Sequence, residues 1–460
     1  MLQNTEYQIV PYLKWLHRTN DFGRVMYRRE LNRTKPAKLL LVFLKVGIII
    51  QLLIGAALIF LGIDGGLSGG VTFGLVMVIL YPFIWPYIMV LPIIFGRQLM
   101  NNTVRKGQIN KSQEIFARHT GIKIAVAGSY GKTTMKELLA TVLSYGFNVA
   151  ATPANKNVSI SHAKFADSLS GKEEILIIEY GEGEVGDVKR FADITHPTHG
   201  IITGIAPAHL DRYKTLAAAG GDIFSVADYL DNRNVYVNID SRDVKPFLKK
   251  TFNLFGQEGA LGWKFKNVQV QLTGTSFVMQ KGPKSIALKS GLLGRHQVGF
   301  LGFVAAFALE LGLSESKLVE AIAKTQPFEH RLKPYQLAGA WVIDDTYNGN
   351  IEGIRAGTRL LKDLPAARKI YVTPGLVDQG EENENVHKEM GKLIANSGAD
   401  IVVLMKNSVT EHIKDGLEIN GFKSKLLIED DPLSFYQNLN HFVASGDIVL
   451  MQNDWPDNYS

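Results

Sequence analysis

A glycine-rich segment with the composition of a phosphate-binding loop lies between a predicted strand, Ile122–Ala127, and a predicted helix, Met135–Tyr145. Glycine lets the backbone curl so that its N–H groups face phosphate oxygens, and the following helix adds the positive end of its dipole. In this position Lys132 would reach the β- and γ-phosphates of a nucleotide, and Thr133 would bind its Mg²⁺. The segment reads Gly128-Ser129-Tyr130-Gly131-Lys132-Thr133-Thr134.

The loop departs from the usual phosphate-loop pattern in one place, because Val126 stands where the first glycine is expected. A bare Gly-Lys-Thr is a weak signal, and the alternative interpretation is a glycine turn with a solvated lysine. The strand before the loop and the helix after it are the context in which the motif binds phosphate. We therefore predict a nucleotide site here.

Short apolar strands alternate with helix-length segments from Gly121 onward, which predicts a parallel sheet covered by helices. Val268–Gln280 and Lys284–Leu288 alternate differently and predict a small antiparallel insertion. We expect an α/β fold with a central parallel-sheet ATPase domain that carries the phosphate loop and a Rossmann-like C-terminal domain, divided near His330-Arg331. The predicted strands are Ile122–Ala127, Phe147–Ala151, Ile175–Tyr180, Gly200–Ile205 and Asn234–Ile239, followed by Trp341–Asp344, Lys369–Thr373, Asp400–Met405, Lys425–Ile428 and Asp447–Met451.

Two long apolar segments, Leu39–Gly62 and Val71–Phe95, precede the α/β region, and the glycine-rich connector Asp64–Gly70 joins them. The first contains one charge, Lys45, and the second contains none, whereas about 20 apolar residues are enough to span a bilayer. Two buried core helices and a cleaved signal peptide are the alternatives. The uncharged length disfavours the first, and the late start with a second segment behind it disfavours the other. The segments predict a transmembrane helical hairpin, kinked by prolines in its second helix.

Basic residues flank both outer ends of this hairpin. Met1–Lys38 contains eight Lys or Arg against three acidic residues, four more basic residues lie between positions 97 and 111, and the connector carries only Asp64. The positive-inside rule therefore predicts a two-span protein of the cell membrane with both ends, and the catalytic domains, in the cytoplasm. Because the basic cluster is juxtamembrane, we expect membrane lipid, and no nucleic acid, as its partner.

Length and composition exclude several classes of protein. At 460 residues, with 46% hydrophobic and 20% charged residues, the chain is neither disordered nor apolar enough throughout for a polytopic transporter. The absence of cysteine excludes disulfides, a thiolate nucleophile and cysteine-ligated metal. We predict a basic segment at 1–38, the hairpin at 39–95, a linker at 96–120, the central domain at 121–330 and the C-terminal domain at 331–460.

Several ordered blocks of the α/β region resemble the Mur ligase family, and within it the members that add D-alanyl-D-alanine to a peptidoglycan precursor. The resemblance covers Gly121 to the C-terminus, and the order and spacing of its blocks are specific for the family. The blocks are the phosphate loop; Thr152-Pro153-Ala154-Asn155-Lys156-Asn157; Glu179-Tyr180-Gly181-Glu182; Thr203-Gly204-Ile205-Ala206-Pro207-Ala208-His209-Leu210-Asp211; Gly294-Arg295-His296-Gln297; and Asp344-Asp345-Thr346-Tyr347-Asn348.

The resemblance implies ATP-dependent amide formation. A substrate carboxylate attacks the γ-phosphoryl group of ATP to give an acyl phosphate, and an amine then displaces the phosphate. Carboxylate and phosphate repel each other, so the site needs positive charge from Lys132 and Mg²⁺. By resemblance Lys132, Glu179 and His209 are catalytic, Glu179 ligates Mg²⁺ with Thr133, and His209 ligates a second ion. Taken alone, Glu179 could be an ordinary strand-end carboxylate and His209 a helix-start histidine; their order behind a phosphate loop favours ligation.

Further residues are assigned by the same resemblance. His296 belongs with the phosphate loop to the ATP side, as do Asp345 and Arg331, which would contact ATP after domain closure. Asn348 resembles a contact on the amine side, and Asn155 and Asn157 resemble residues on the side of the first substrate. The alternative interpretation of Asp345 is a helix N-cap and that of Asn348 a turn residue.

Three features depart from the family. The lysine whose carbamate bridges two metal ions is expected at Gly220, which leaves Asp222 as a candidate metal ligand. An asparagine of the adenine site is expected at Phe300. The hairpin stands where the family has a domain that binds the UDP group of its substrate.

These observations leave three functions open. The first is a membrane-anchored ligase that joins an amino acid or dipeptide to a cell-wall peptide precursor, and the second is the same chemistry on a lipid-linked precursor or polyamide. The third is a degenerate ATP-binding scaffold that recruits cell-wall synthesis enzymes. Lys132, Thr133, Glu179 and His209 favour an enzyme, whereas Gly220 and Phe300 favour the scaffold.

Overall fold

The structure is a computed structural model of the chain, and it divides into two compact units. One unit is Met1–Gly107 with Pro456–Ser460, and the other is Gln108–Trp455. The residues that the structure describes are 9–18, 34–66, 68–94, 104–153, 157–206, 213–347, 349–376, 379 and 382–453.

The described part of the first unit is helical. A short helix, α1 (Ile9–Arg18), is followed by two long ones, α2 (Lys35–Asp64) and α3 (Ser68–Ile88), and the helix resumes at 90–94 after a turn at Met89. By length and composition, the spans Ala37–Asp64 and Ser68–Ile94 could each cross a membrane, with hydropathies of 2.7 and 2.1. The connector is shorter than predicted, because Gly69 and Gly70 lie in the first turn of α3.

The two long helices pack closely through small residues and one polar group. A Cβ added to Gly74 would lie 2.6 Å from the carbonyl oxygen of Gly55, so these helices approach each other where only glycine fits. Gln51 Nε2 donates to the carbonyl oxygen of Met77 at 2.9 Å, and Trp85 Nε1 donates to Gln51 Oε1 at 2.6 Å. Pro82 and Pro86 lie inside α3, and prolines inside a helix are a common cause of kinks.

The second unit contains a mixed ten-stranded sheet in the order β10-β9-β8-β7-β6-β5-β4-β1-β3-β2. Strands β1 to β6 are parallel, and β7 to β10 are antiparallel. The parallel sheet is confirmed, but the antiparallel insertion is larger than predicted, and the segment Val268–Gln280 is divided between β8 and β9. Its strands are β1 (Ile122–Ala127), β2 (Val149–Ala151), β3 (Ile175–Glu179), β4 (His199–Ile202), β5 (Val235–Asn238), β6 (Asn253–Gly256), β7 (Gly259–Ala260), β8 (Trp263–Gln271), β9 (Gly274–Lys281) and β10 (Lys284–Ser290).

Helices cover this sheet on both faces, because apolar side chains of β1 point alternately into two separate cores. Ile124 and Val126 belong to one core, and Ala125 and Ala127 to the other. A helix also occupies most of the segment predicted as a linker. The helices are α4 (Val104–Arg118), α5 (Lys132–Leu143), α6 (Ser159–Ser168), α7 (Asp187–Thr195), α8 (Leu216–Tyr229), α9 (Gln297–Glu310) and α10 (Glu315–Ala323), with a 3₁₀ helix at Arg242–Phe247.

A six-stranded sheet in the order β11-β12-β16-β13-β14-β15 forms the C-terminal region. All its strands are parallel except β11, an edge strand that the sequence did not indicate. The elements are β11 (Lys333–Leu337), β12 (Ala340–Asp345), α11 (Ile351–Asp363), β13 (Arg368–Thr373), α12 (Asn383–Ala395), β14 (Ile401–Met405), α13 (Thr410–Ile419), β15 (Lys425–Glu429), α14 (Pro432–Gln437), α15 (Leu439–Phe442) and β16 (Asp447–Gln452).

Candidate active site

The predicted phosphate loop connects the end of β1 to the first turn of α5. Gly128 and Gly131 have φ angles of 144° and 73°, which side chains disfavour, so glycine is required at both turns. The loop is held from the neighbouring strand end, because Thr203 Oγ1 donates to the carbonyl oxygen of Tyr130 at 2.5 Å and Ser129 N donates to that of Gly204 at 2.8 Å. The loop is therefore preformed at the carboxyl edge of the parallel strands.

Lys132 begins α5 and forms an ion pair that the sequence analysis did not predict. Its Nζ lies 2.5 Å from Glu182 Oε2 and 2.5 Å from the carbonyl oxygen of Gly128. The lysine side chain is 12% exposed and that of Glu182 is 5% exposed. Glu182 belongs to a block quoted above, but nothing in its local sequence indicates which lysine it contacts.

Glu179 ends β3 beside the loop, and several side chains surround its carboxylate. Thr133 Oγ1 donates to Glu179 Oε1 at 3.1 Å, and Asn157 Nδ2 lies 3.4 Å from the same oxygen. Lys136 Nζ lies 3.5 Å from Glu179 Oε2, which is buried and accepts no hydrogen bond. The structure thus brings Thr133 and Glu179 together and adds Asn157 and Lys136 to the group.

Thr133 and Glu179 fit a magnesium site. A hydroxyl and a carboxylate are the hard oxygen ligands that Mg²⁺ prefers. Glu179 Oε1 and Thr133 Oγ1 are close enough to face one ion, and Glu179 Oε2 has no donor. Within the described residues, no three His, Cys, Asp or Glu side chains cluster as a metal site.

Gly220 leaves no room for the lysine expected at this position. A Cβ added to Gly220 would overlap the ring of Phe247 and lie 3.0 Å from the side chain of Ile205. Asp222 is also engaged, because its carboxylate accepts from Tyr213 Oη at 2.8 Å and from Gly186 N at 2.7 Å. Desolvation by burial raises the pKa of Asp222. The structure therefore does not support Asp222 as a free metal ligand.

Phe300 packs directly on the phosphate loop. A Cβ added to Gly131 would lie 2.7 Å from its ring, and the phenylalanine is 8% exposed. The side chain thus forms part of the core beneath the loop, where an amide would need hydrogen-bond partners. Phe300 cannot donate or accept a hydrogen bond as the expected asparagine would.

His296, Arg331 and Asp345 lie around the junction between the two sheets. His296 precedes α9 and is partly buried, and desolvation lowers its pKa to about 4. The guanidinium carbon of Arg331 lies 4.6 Å from the centre of the Tyr347 ring. Leu332 N donates to Asp345 Oδ1 at 3.2 Å, which fixes the turn between the two sheets to the end of β12.

Asp345 is held by neutral donors. Gln452 Nε2, at the end of β16, donates to Asp345 Oδ2 at 2.7 Å, and Tyr371 Oη in turn donates to Gln452 Oε1 at 2.9 Å. Desolvation raises the pKa of Asp345 to about 7, although these hydrogen bonds and Arg331 act in the opposite direction. Asp345 is not the N-cap of α11, since Asn350 caps that helix through its side chain.

Comparison with known proteins agrees with this architecture. The Mur ligase middle domain matches residues 126–308, and the Mur ligase glutamate ligase domain matches residues 330–452. The UDP-N-acetylmuramoyl-tripeptide–D-alanyl-D-alanine ligase of Synechocystis is 30% identical over 336 residues, which cover 72% of this chain and 71% of that protein. The chain belongs to the Mur ligase family.

Other relatives of this Mur ligase are more distant. The Escherichia coli ligase of the same name is 27% identical over 61% of this chain, and the match covers 63% of that protein. MurF from Thermotoga maritima, solved in complex with ADP, has a TM-score of 0.67 at 22% identity, and the match covers 77% of this chain and 81% of that one. A pseudomurein peptide ligase from Methanothermus fervidus has a TM-score of 0.59 at 17% identity, and the match covers 78% of this chain and 83% of that one. These structures share the fold.

Three residues assigned by resemblance to the Mur ligase site lie outside the described residues. They are His209, the expected second metal ligand, and Asn155 and Asn348, on the two substrate sides. The described residues of the site form two groups. The phosphate loop gathers Lys132, Thr133, Glu179 and Asn157, whereas Arg331 and Asp345 meet at the junction.

Proposed function

We propose that this Mur ligase is a membrane-anchored, ATP-dependent ligase that joins the amine of an amino acid or dipeptide, such as D-alanyl-D-alanine, to the carboxylate of a cell-wall peptide precursor. The observation that carries the proposal is the grouping of Lys132, Thr133 and Glu179 around a preformed phosphate loop. The names of the Synechocystis and Escherichia coli relatives support the choice of substrates.

The reaction we propose has two steps. A carboxylate oxygen of the precursor attacks the γ-phosphorus of ATP, the bond from that phosphorus to the bridging oxygen breaks, and ADP leaves. The amine nitrogen then attacks the carbonyl carbon of the acyl phosphate, inorganic phosphate leaves, and the nitrogen gives up a proton. The first step brings two anionic groups together, and the second develops negative charge on the acyl oxygen and on the departing phosphate, so positive charge at the phosphate loop lowers both barriers.

Residues of the chain would serve this chemistry as follows. Backbone N–H groups of the loop and the N-terminus of α5 bind the phosphates. Lys132 exchanges its contact with Glu182 for the phosphate oxygens. Thr133 and Glu179 are the residues that would hold Mg²⁺, which supplies further positive charge when bound. Arg331, beside the junction, would contact the nucleotide after domain closure, as the resemblance to the family implies.

The proposed anchor is the α2–α3 hairpin, in the cell membrane. Large apolar side chains along both helices are exposed, among them Leu53, Phe60, Ile79 and Phe83. In an 18-residue apolar window of each span, only 11% and 22% of the residues are buried, unlike the core helices of a soluble domain. Basic residues at the outer ends support cytoplasmic placement of the α/β unit.

A lipid-linked acceptor is the second candidate function, and the hairpin favours it. A substrate confined to the same membrane has a raised effective concentration and can bind through weaker local contacts. In bilayers, turnover of a lipid-linked muropeptide would then exceed that of its UDP-linked counterpart, and deletion of Met1–Gly96 would abolish the preference. If the enzyme uses both substrates equally before and after truncation, the lipid-linked proposal is wrong, and a UDP-linked acceptor is favoured.

The activity is tested with the full chain in lipid nanodiscs, supplied with ATP, Mg²⁺, UDP- or lipid-linked muropeptides and D-alanyl-D-alanine. We expect phosphate release that depends on both substrates and a product whose mass equals their sum less water. ATP binding without turnover on any acceptor would instead favour the scaffold that recruits cell-wall synthesis enzymes. Labelling of Ser68→Cys, but not Ser460→Cys, from outside intact cells tests the topology.

A further inference from the structure

Lys136, which the reaction above does not use, is a fully buried lysine in the second turn of α5. Its side chain is 0% exposed, and its Nζ donates to the carbonyl oxygen of Thr152 at 2.9 Å. The same nitrogen lies 3.0 Å from Glu137 Oε1 and 3.5 Å from Glu179 Oε2. Burying an ammonium is costly unless its partners compensate, and packing alone would be served by an apolar side chain. The position therefore indicates a role for the charge or the donor.

The geometry of α5 relates this lysine to the magnesium ligand. Thr133 and Lys136 are three residues apart, so they lie on the same face of the helix. Thr133 Oγ1 contacts Glu179 Oε1 at 3.1 Å, and Lys136 Nζ approaches Glu179 Oε2 at 3.5 Å. One helix face thus contacts both oxygens of a carboxylate that is 3% exposed.

Thr152 closes the arrangement from the other side. Glu179 N donates to Thr152 Oγ1 at 3.0 Å, and Lys136 donates to the carbonyl oxygen of the same threonine. Thr152, which follows β2, therefore holds the backbone of Glu179, and Lys136, on α5, approaches its carboxylate. These two residues are themselves joined by a hydrogen bond. Rotation of the carboxylate would break the approach to Lys136.

We propose that Lys136 is a positioning residue that holds the Glu179 carboxylate with Oε1 toward Thr133, ready to accept a cation. The inference rests on the proposed function in that the cation is the Mg²⁺ of the ATP site. Two effects of the lysine oppose each other, since its charge repels a bound cation while its contact keeps the carboxylate oriented. Because Glu137 Oε1, 3.0 Å from Lys136 Nζ, offsets the charge of the ammonium, orientation outweighs repulsion, and removal of Lys136 weakens metal binding.

The test uses Lys136→Met and Lys136→Gln in the full chain. Both side chains match each other in length, but only glutamine keeps a hydrogen-bond donor. We measure Mn²⁺ binding in the presence of ADP by electron paramagnetic resonance, the melting temperature, and the Mg²⁺ dependence of turnover. Residues that orient a metal ligand typically change affinity by about 10- to 100-fold. We expect at least about tenfold weaker Mn²⁺ binding for methionine and partial recovery for glutamine.

Lys123 offers a matched control at the opposite end of the same sheet. It is 5% exposed and lies on β1, and its Nζ donates to the carbonyl oxygens of Phe116 at 2.9 Å and His119 at 3.0 Å. Both acceptors are neutral carbonyl groups of the backbone, and the Glu179 carboxylate is not one of them. Lys123→Met should lower the melting temperature and leave Mn²⁺ affinity unchanged.

The two possible failures are distinguishable. Binding of Mn²⁺ with ADP requires no acceptor, so it tests Lys136 even if no peptide product forms. Unchanged or tighter Mn²⁺ binding in Lys136→Met would overturn the inference while leaving the ligase function intact. If the methionine variant fails to fold, the test uses Lys136→Gln alone. In that variant, Mn²⁺ affinity and Mg²⁺ dependence equal to those of the parent chain would also overturn the inference.

Discussion

Two acidic residues end parallel strands in the two sheets of the α/β unit, and their surroundings differ. Glu179 ends β3, and an ammonium group, Lys136, approaches its buried carboxylate. Asp345 ends β12, and its carboxylate accepts hydrogen bonds from neutral donors, the amide of Gln452 and the backbone of Leu332. The first edge is built around paired charges, whereas the second contains an acid that desolvation drives toward its neutral form.

This difference indicates a division of labour between the edges. The central sheet holds cations and anions in contact, and such pairs can be exchanged for phosphate and metal. At the second edge, desolvation raises the pKa of Asp345 to about 7, because neutral donors offset less of the cost of burying a charge. Four variants would break or sharpen the comparison.

Lys132→Ala should have the largest effect. It removes the phosphate-facing charge at the first edge without opening a core, so ATP turnover should fall by about 10²–10³, equivalent to about 3–4 kcal/mol. The measurement is phosphate release at saturating substrates, and a cooperative thermal transition is the control for folding, because loss of Lys132 leaves the buried Glu182 carboxylate without its ion pair. Near-normal turnover would show that the loop is not catalytic.

Gly220→Lys asks whether the first edge can accept the family's missing lysine. The new side chain would overlap Phe247, and overpacking of this kind costs about 1–3 kcal/mol in unfolding free energy. Gly221→Lys is the control, because its Cβ would meet no atom within 4 Å. Activity of the parent chain should be insensitive to bicarbonate. Bicarbonate stimulation, or a stable and more active Gly220→Lys, would mean that a lysine carbamate operates here.

Asp345→Asn tests the second edge through pH. Because the folded-state pKa of Asp345 is raised from 3.8 to about 7, the folded protein binds the proton more tightly. The protonated Asp345 carboxyl therefore stabilises the fold. This stabilisation is fully present below about pH 4 and is lost as the pH rises through 7, and the unfolding free energy changes by at most about 1.4 kcal/mol per pH unit.

The measurement for Asp345 is the free energy of unfolding from chemical denaturation between pH 4 and 8. The value for the variant is subtracted from that of the parent chain at each pH. Burial lowers the pKa values of His162 and His296 to about 4, which destabilises the fold as the pH falls. These opposite contributions cancel in the difference. A flat difference profile would show that Asp345 ionises as it does in the unfolded chain.

Glu182→Gln should have the smallest effect of the four variants, and it should improve ATP binding instead of impairing the enzyme. The Glu182 carboxylate pairs with Lys132 and would compete with phosphate for its ammonium group, so removing the carboxylate should tighten ATP binding by about tenfold, or about 1.4 kcal/mol. Calorimetric titration with a non-hydrolysable ATP analogue measures this, and Glu184→Gln is a control because that side chain does not contact Lys132. Weaker binding would mean that Glu182 supports the nucleotide site.

Local patterns in the sequence predicted much of this molecule. The apolar segments predicted the helices α2 and α3, and the alternating pattern predicted the parallel strands that lead to Lys132 and Glu179. Strands β6 and β11 were not recognised, because each is short and partly exposed and lacks a clear alternating pattern. The antiparallel insertion was predicted to begin at Val268, whereas its strand β8 begins at Trp263.

The sequence by itself determined the phosphate loop and the hairpin, because closely spaced glycines and uncharged length are local features, and resemblance to the family paired Thr133 with Glu179. Only the tertiary structure decided that Lys132 contacts Glu182, that Lys136 approaches Glu179, and that Phe247 fills the space beside Gly220. Each of these contacts joins residues far apart in the chain. Which side chains meet depends on how helices pack on the sheet, and that packing is set by the whole core at once.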